Sequence, residues 1–311
     1  ETKPKPITQV HFFPNHKGDI LARSLLDGIE IWDLSLRERL QKISAQRHLV
    51  FDVSPQGDFL YTTSFQDGLT RFQIKLTKTN ERYRCEVGAK ETLVEGFCTR
   101  LAVDSTGKRV AVIRQEDGSS YELQILSVDS GEVVTQVDVV PRLLSMEFSS
   151  DGSKIYGCHI RPPAVSAWSV ETGDLIDRKE LADGFLSSMS NRSNTLAIRS
   201  DFEARFVDLE NWEDMFRFSL PKVGNLKSGA SDSRDLSAVN LDDFITVLVN
   251  PSTGQELAHL ESSPQDSIRF YDFSSDNRRL AVAANRNLQV WDLDKLREML
   301  AELELNWTGS E

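Results

Sequence analysis

The chain has 311 residues and a formal net charge of −12, with 36 basic and 48 acidic residues. This length suffices for two average domains or one large β domain. The acidic balance argues against a broad nucleic-acid or anionic-membrane surface, because both ligands require a basic face. No apolar run approaches the length of a membrane helix, so we expect neither nucleic acid nor membrane as a partner.

The chain starts with the polar stretch ETKPKPITQ, which lacks the basic start and apolar middle of a secretory signal. It begins with Glu rather than Met, so we expect a segment of a longer protein. Pro4 and Pro6 stand two residues apart, which places both missing amides on one side. An outermost β-strand tolerates this arrangement, and we therefore predict an edge strand over residues 1–8.

A short unit of two alternating apolar runs joined by a turn recurs along the chain. It is clearest at 51–65, 101–114, 146–160 and 270–284. The turns contain Asp and Ser, whose side chains bond their own backbone, and Gly or Asn, which accept positive φ. A third apolar strand follows each pair, and a further turn often leads into a fourth. The pattern predicts four-stranded antiparallel units.

Equivalent third-strand positions recur at intervals of 40, 54, 42, 39, 42 and 42 residues, at Trp32, Phe72, Leu126, Trp168, Val207, Val249 and Trp291. A four-stranded unit of about 40–45 residues is typical of a β-propeller blade. The long interval contains a polar insertion at 75–92, for which we predict an extended outer hairpin. The sequence thus predicts an all-β, seven-bladed β-propeller as a single domain over 1–311. The blades span approximately 8–44, 47–94, 97–140, 142–182, 184–221, 223–262 and 266–293.

The chain ends with a helical pattern instead of a strand. Four apolar residues follow helical spacing: Leu296, Met299, Leu300 and Leu303. With Asp294 as N-cap, they predict a helix over 295–304. Residues 1–8 would then supply the outer strand of the last blade and close the ring, because an open sheet edge invites aggregation. We expect the helix to pack on the rim, with Trp307 at its far end; alternatively, its apolar stripe docks a partner.

The Trp-Asp dipeptide occurs at Trp32–Asp33 and Trp291–Asp292. Together with the repeat shape, it makes nearly the whole chain resemble a WD-repeat β-propeller. The resemblance implies a protein-interaction scaffold. The Gly-His dipeptide that usually opens such repeats is missing, so the His/Asp network of standard blades should be absent. The run WDLDKLREMLAELELNW also resembles WD-repeat regions of bacterial multidomain proteins, in which the propeller is fused to a serine/threonine kinase or cytochrome-type domain.

Residues with catalytic or metal-binding chemistry are sparse. Cys85, Cys98 and Cys158 are odd in number and far apart, so we predict small buried side chains instead of disulfides or a thiolate metal site. The five histidines lack metal-ligand spacing, and neither a G-x-S-x-G elbow nor a Gly-rich phosphate loop occurs. We therefore expect no catalytic residue, metal or cofactor.

In a propeller, the loops joining second to third strands and successive blades form the usual binding face. Basic residues cluster there in the predicted alignment, and Arg binds carboxylate or phosphate in a bidentate manner. We predict that a protein or an acidic or phosphorylated peptide docks on this face. The candidate residues are Arg47, Arg100, Arg114, Arg142, His159, Lys222 and Asn240. Alternatively, the arginines pair with acidic residues such as Asp117 and Asp183.

These observations favour a monomeric, non-catalytic scaffold, the propeller module of a larger bacterial protein. We expect it in the cytoplasm, or in the periplasm if the parent protein carries a signal or anchor. One alternative is a hydrolase or lyase with its active site at the channel mouth, for which His159, Arg114 and His48 are the nearest candidates. Another is a small-ligand sensor that reports to a fused kinase.

Overall fold

The computed structural model describes residues 6–44, 48–116, 120–139, 143–160, 162–181, 185–190, 195–199, 203–219, 232–233, 236–241, 244–250, 253–262, 267–285 and 287–303. Over these ranges the protein is all-β, with one short helix near its C-terminal end. The strands form sheets that we number 1 to 7 in chain order.

Sheets 1 to 4 each contain four antiparallel strands in chain order. Sheet 1 contains β1 (Val10–Phe12), β2 (Ile20–Leu25), β3 (Gly28–Asp33) and β4 (Glu38–Ser44). Sheet 2 contains β5 (His48–Val53), β6 (Phe59–Ser64), β7 (Gly68–Thr79) and β8 (Arg82–Val94). Sheet 3 contains β9 (Phe97–Val103), β10 (Arg109–Gln115), β11 (Tyr121–Ser127) and β12 (Val133–Val139). Sheet 4 contains β13 (Leu143–Phe148), β14 (Lys154–Ile160), β15 (Pro163–Ser169) and β16 (Leu175–Glu180).

Sheets 5 and 6 repeat this order, whereas sheet 7 has three strands in the described residues. Sheet 5 contains β17 (Phe185–Ser190), β18 (Thr195–Arg199), β19 (Glu203–Asp208) and β20 (Asp214–Ser219). Sheet 6 contains β21 (Asp232–Ser233), β22 (Leu236–Asn240), β23 (Ile245–Val249) and β24 (Glu256–Glu261). Sheet 7 contains β25 (Ile268–Phe273), β26 (Arg279–Ala284) and β27 (Asn287–Asp292), and helix α1 (Leu293–Glu302) follows directly.

Six four-stranded sheets therefore form the blades of a β-propeller, and the seven complete blades that the sequence predicts are not confirmed. The first strands contact one another around the ring: β1 with β5, β5 with β9, β9 with β13, β13 with β17, β21 with β25, and β25 with β1. The alignment of third strands is confirmed by the pairing. Leu21 pairs with Trp32, Leu60 with Phe72, and Leu280 with Trp291, so the same register recurs from sheet to sheet.

The turns between first and second strands have the chemistry that the sequence predicts. In sheet 4 the Ser149 hydroxyl accepts a hydrogen bond from the Lys154 amide at 3.0 Å, and the Gly152 amide donates to the Ser149 carbonyl at 2.9 Å. Gly152 has φ +71°, and in sheet 7 Asn277 takes the same place at φ +57°. Asn tolerates this left-handed conformation better than most non-glycine residues.

Side chains join neighbouring sheets through backbone carbonyls. Arg109 donates to the carbonyl of Gly152 in sheet 4 at 3.5 Å, and Arg279, at the equivalent position of sheet 7, donates to the carbonyl of Gly18 in sheet 1 at 2.8 Å. Arg71 of sheet 2 donates to the carbonyl of Val128 in sheet 3 at 2.6 Å. Separate sheets share no strand ladder, so such bonds satisfy carbonyls at the boundaries between blades.

Helix α1 begins two residues earlier than predicted. Its N-cap is Asp292, whose carboxylate accepts from the Lys295 amide at 3.1 Å, and not Asp294, which lies in the first turn. Leu293 is fully buried against sheets 6 and 7, and Leu296 packs on the same cluster. Met299 and Leu303, however, are 62% and 67% exposed. Packing of the helix is thus observed for its first turn, while Trp307 lies outside the described residues.

The last strand is unusually accessible for a third strand. None of the six residues of β27 is buried, whereas β11 and β15 each bury five of seven. A third strand is normally covered by a fourth, and none is described beside β27. The predicted closing segment, 1–8, falls mostly outside the described residues. Its last part, however, reaches sheet 7, because the Ile7 amide donates to the Asn285 carbonyl at 2.8 Å.

Candidate functional site

We define the loop face as the side of the ring formed by the loops between second and third strands and between successive sheets. The sequence predicts binding residues on this side. Arg47, Arg142 and Lys222 lie outside the described residues. The structure describes Arg100, Arg114, His159 and Asn240, and it gives them different environments.

Arg100 serves as a structural bridge between two sheets. Its guanidinium donates from Nε to the Leu144 carbonyl of sheet 4 at 2.6 Å and from Nη1 to the Thr99 carbonyl at 2.8 Å. Burial lowers the pKa of this guanidinium. These two bonds commit Nε and Nη1 to backbone carbonyls, and the first of them joins sheet 3 to sheet 4.

His159 and Asn240 are also buried, at 3% and 1% exposure. The Nε2 of His159 lies 2.9 Å from the Ser166 hydroxyl, and its ring is 6.1 Å from that of Trp168. Among the described residues no hydrogen bond joins His159 to Arg114. The side chain of His48, the third residue considered for a channel-mouth active site, lies outside the described residues.

Burial, with a smaller contribution from Arg178, lowers the pKa of His159 to about 4. The unfolded chain therefore binds this proton first, since an unperturbed histidine titrates near about 6.5. Stability linked to His159 is complete above that pH and is lost as the pH falls through about 6.5 towards the folded value. We expect a loss of about 1–2 kcal/mol between about pH 7 and about pH 5.

Urea unfolding across this pH range would measure the loss. His159→Gln should flatten the acid limb without removing it, because burial also lowers the pKa of His16. The exposed His259, which pairs with Glu256 at 2.9 Å, offers a matched control in His259→Gln. Equal acid slopes for His159→Gln and wild type would contradict the expectation.

Arg114 has a partly exposed side chain near the end of β10. Its side chain is 34% exposed, and Nη1 lies 3.2 Å from a carboxylate oxygen of Glu116. Its Nε is buried and has no hydrogen-bond partner among the described residues. A guanidinium carries five N–H donors, so the exposed part of this side chain retains the capacity to bind a second acceptor besides Glu116.

Sequence reasoning missed an aromatic pair on the loop face. The rings of Phe65 and Phe97 stack with centroids 4.6 Å apart and planes inclined by 15°. Phe65 lies in the loop between β6 and β7 and is 50% exposed. Phe97 starts β9 and pairs with Gln115, the neighbour of Arg114. A phenylalanine inside the turn SFQDG, where the alternating pattern has ended, was the available signal.

The loop that carries Phe65 is well fixed. The Ser64 hydroxyl accepts hydrogen bonds from the Gln66 amide at 3.3 Å and the Asp67 amide at 2.7 Å. Gly68 has φ +70°, and a Cβ there would lie 1.9 Å from the Val94 carbonyl oxygen, so only glycine fits. Phe65 is therefore held in an exposed position by a rigid turn.

Two other loops of the same face present apolar residues. Leu26, between β2 and β3, is 63% exposed, and Phe244, between β22 and β23, is 36% exposed. Together with Phe65, they place large apolar side chains at equivalent loops of sheets 6, 1 and 2. Exposed apolar groups that recur on one face of a molecule indicate a binding surface more than isolated ones do.

Two carboxylates on first strands accept hydrogen bonds across the boundaries between sheets. Asp272 of β25 accepts a hydrogen bond from the Phe12 amide of β1 at 2.6 Å, and Asp52 of β5 accepts from the Val103 amide of β9 at 3.3 Å. Both bonds cross from one sheet to the next at equivalent positions. They provide links between blades in a chain that lacks the Gly-His dipeptide.

Other chemical features are consistent with ordinary packing. Burial raises the pKa of Cys98 and of Cys158 to about 12 each and that of Cys85 to about 11, which keeps the thiols protonated. Within the described ranges no group of three His, Cys, Asp or Glu residues could hold a metal ion. The described helix is too short to cross a bilayer.

No protein-family model matches the sequence, and no curated protein matches it significantly.

Proposed function

We propose that the protein is a non-catalytic interaction module that holds a protein or peptide partner on its loop face. The observation that carries this proposal is the Phe65–Phe97 stack on the loop face, in which Phe65 is 50% exposed. Aromatic residues and arginine are enriched where partners make their strongest contacts, and a rigid aromatic pair loses little entropy on binding.

The geometry indicates the chemistry of the partner. An apolar anchor would cover the stacked rings, and a carboxylate elsewhere on the partner would accept from Arg114 in competition with Glu116. Leu26, on the neighbouring sheet, would extend the apolar contact. The partner is thus more restricted than the predicted acidic or phosphorylated peptide. Among the predicted cations that the structure describes, only Arg114 is available to bind it.

We further propose that the ring has seven blades. Sheet 7 would be the seventh blade of a WD-repeat-like ring, with the segment ahead of Ile7 as its outer strand. Contact between β25 and β1 supports this, as does the hydrogen bond from Ile7 to Asn285 next to the start of β27. An antiparallel segment ending there would run along β27 in the direction that β4 takes along β3.

Selection of short peptides from a displayed library, followed by affinity measurement, tests the functional proposal. Phe65→Ser should weaken the selected peptides at least about tenfold, equivalent to about 1.4 kcal/mol. Leu36→Ser is the matched control, because Leu36 is 44% exposed in a turn between third and fourth strands on the opposite side. If Leu36→Ser removes binding and Phe65→Ser does not, the loop face is not the binding surface.

A further inference from the structure

The extended outer hairpin of sheet 2 is the most divergent element of the ring. Strands β7 and β8 have 12 and 13 residues, whereas the third and fourth strands described in the other sheets have five to seven. The tip residues Asn80 and Glu81 both have positive φ, at 49° and 69°. Two such residues form the tight turn that matches the twist of a β-ribbon.

One face of the hairpin is fixed on the body of the protein. Leu76, Tyr83, Cys85 and Val87 pack on the apolar cluster between sheets 1 and 2. The Tyr83 ring meets the ring of His16 edge-on at 5.5 Å, and the Lys78 ammonium lies 4.9 Å from the Tyr83 centroid. An isolated two-stranded ribbon is marginally stable, so this packing explains how the hairpin keeps its shape before any partner binds.

The opposite face is cationic. The alternation of the ribbon places Lys75, Thr77 and Thr79 of β7 across from Glu86, Arg84 and Arg82 of β8. Lys75 lies 3.7 Å from Glu86, whereas Arg82 and Arg84 are exposed and have no ion-pair partner in the described part of the chain. Residues 75–90 contain five basic and two acidic side chains in a protein of net charge −12.

The outer edge of the hairpin is also open. β8 is the last strand of sheet 2, and no described strand pairs with its outer side. Its free amides and carbonyls can receive an added strand, a common mode of peptide recognition. Side chains two residues apart on such a strand would lie beside Arg82 and Arg84, because residues i and i+2 share a face.

We propose that the outer edge of β8 binds an extended, acidic polypeptide segment whose carboxylates alternate along the strand. Main-chain hydrogen bonds to β8 provide affinity, and Arg82 and Arg84 select carboxylates at every second position. The acidic remainder of the protein repels such a segment, so the negative charge of the segment steers it towards the hairpin. This site is distinct from the loop face and does not depend on it.

Nucleic acid is a poorer fit to the same surface. A nucleic-acid groove needs a continuous run of cations and aromatic rings for base stacking. The cationic face carries Glu86 among its few basic residues, and the aromatic ring of the hairpin, Tyr83, lies on the packed side against His16. An alternating acidic peptide requires neither feature.

A fluorescein-labelled peptide of alternating glutamate and threonine, about ten residues long, tests the proposal directly by fluorescence anisotropy. We expect saturable binding that weakens with rising salt and at least about a tenfold loss in Arg82→Glu/Arg84→Glu. The control peptide has the same composition, with all glutamates in one block and all threonines in a second, and should bind at least several-fold more weakly. Lys108→Glu/Lys179→Glu changes the net charge equally at exposed sites of sheets 3 and 4 and should bind like wild type.

Any of three results would overturn the proposal. The first is no measurable binding of the alternating peptide to the wild-type chain. The second is an equal loss in the hairpin and control variants, which would mean that only net charge matters. The third is tighter binding of a single-stranded oligonucleotide than of the peptide, abolished by Arg82→Glu/Arg84→Glu. Phe65→Ser should leave peptide binding unchanged, which separates this site from the loop face.

Discussion

Ile7→Ala is expected to lower the free energy of unfolding by about 2–5 kcal/mol, the usual range for a large aliphatic side chain removed from a packed core. Ile7 is 1% exposed and belongs to the apolar cluster between sheets 1 and 7, with Val10, Leu21 and Ala281. The substitution leaves a cavity where the first and last sheets meet. Urea unfolding of the purified chain measures the change.

The contacts around Ile7 explain why so much stability depends on a residue near the chain start. The Ile7 amide donates to the Asn285 carbonyl of sheet 7, while the next residue, Thr8, bonds Ser24 of sheet 1. Residues 7 and 8 thus join the last sheet of the chain to the first. Leu36→Ala is the control: Leu36 is 44% exposed, and we expect a change within about 0.5 kcal/mol. Equal effects of the two substitutions would show that Ile7 does not hold the sheets together.

Asp272→Ala should destabilise the fold by about 1.5–3 kcal/mol, the range for hydrogen bonds to charged groups. The carboxylate accepts from the Phe12 amide of the neighbouring sheet at 2.6 Å and lies 4.0 Å from His11 Nδ1. Its removal takes the acceptor from an amide that faces the boundary between sheets 7 and 1. Thermal or urea unfolding of Asp272→Ala and Asp272→Asn checks the expectation.

The two substitutions at Asp272 separate charge from hydrogen bonding. Asn keeps an acceptor oxygen for the Phe12 amide, so Asp272→Asn should lose less stability than Asp272→Ala. Asp129→Ala, at an exposed turn carboxylate of sheet 3, should change stability by less than about 0.5 kcal/mol. The bridge between sheets has no energetic role if Asp272→Ala behaves like Asp129→Ala.

Strand pairing and turns were accessible from the sequence because they are local. Each second strand pairs with a third strand only a few residues away. Turn residues such as Gly152 and Asn277 are of types that favour positive φ, so the sequence predicts their conformation. The extended hairpin was predicted by the same reasoning, because the 54-residue interval between Phe72 and Leu126 is longer than one ordinary blade. The β7–β8 pairing, which reaches Thr79 and Arg82, confirms that prediction.

Contacts between sheets could not be read in the same way. From its residue type, Arg100 is expected to be a surface cation. Its guanidinium instead bonds the carbonyl of Leu144, 44 residues later, and no sequence pattern predicts that contact. The Phe65–Phe97 stack joins two loops 32 residues apart. The helix start illustrates a smaller ambiguity: Asp292 and Asp294 both satisfy the capping rule, and the choice depends on where β27 ends.

Hydrogen exchange of the β27 amides tests most directly whether the chain start closes the ring. We would compare the full chain with a chain lacking residues 1–6, which retains Ile7. If the missing segment is the outer strand of sheet 7, the amides of Asn287–Asp292 that point away from β26 exchange slowly in the full chain and rapidly after the deletion. Rapid exchange of these amides in both proteins would contradict closure by the N-terminal segment.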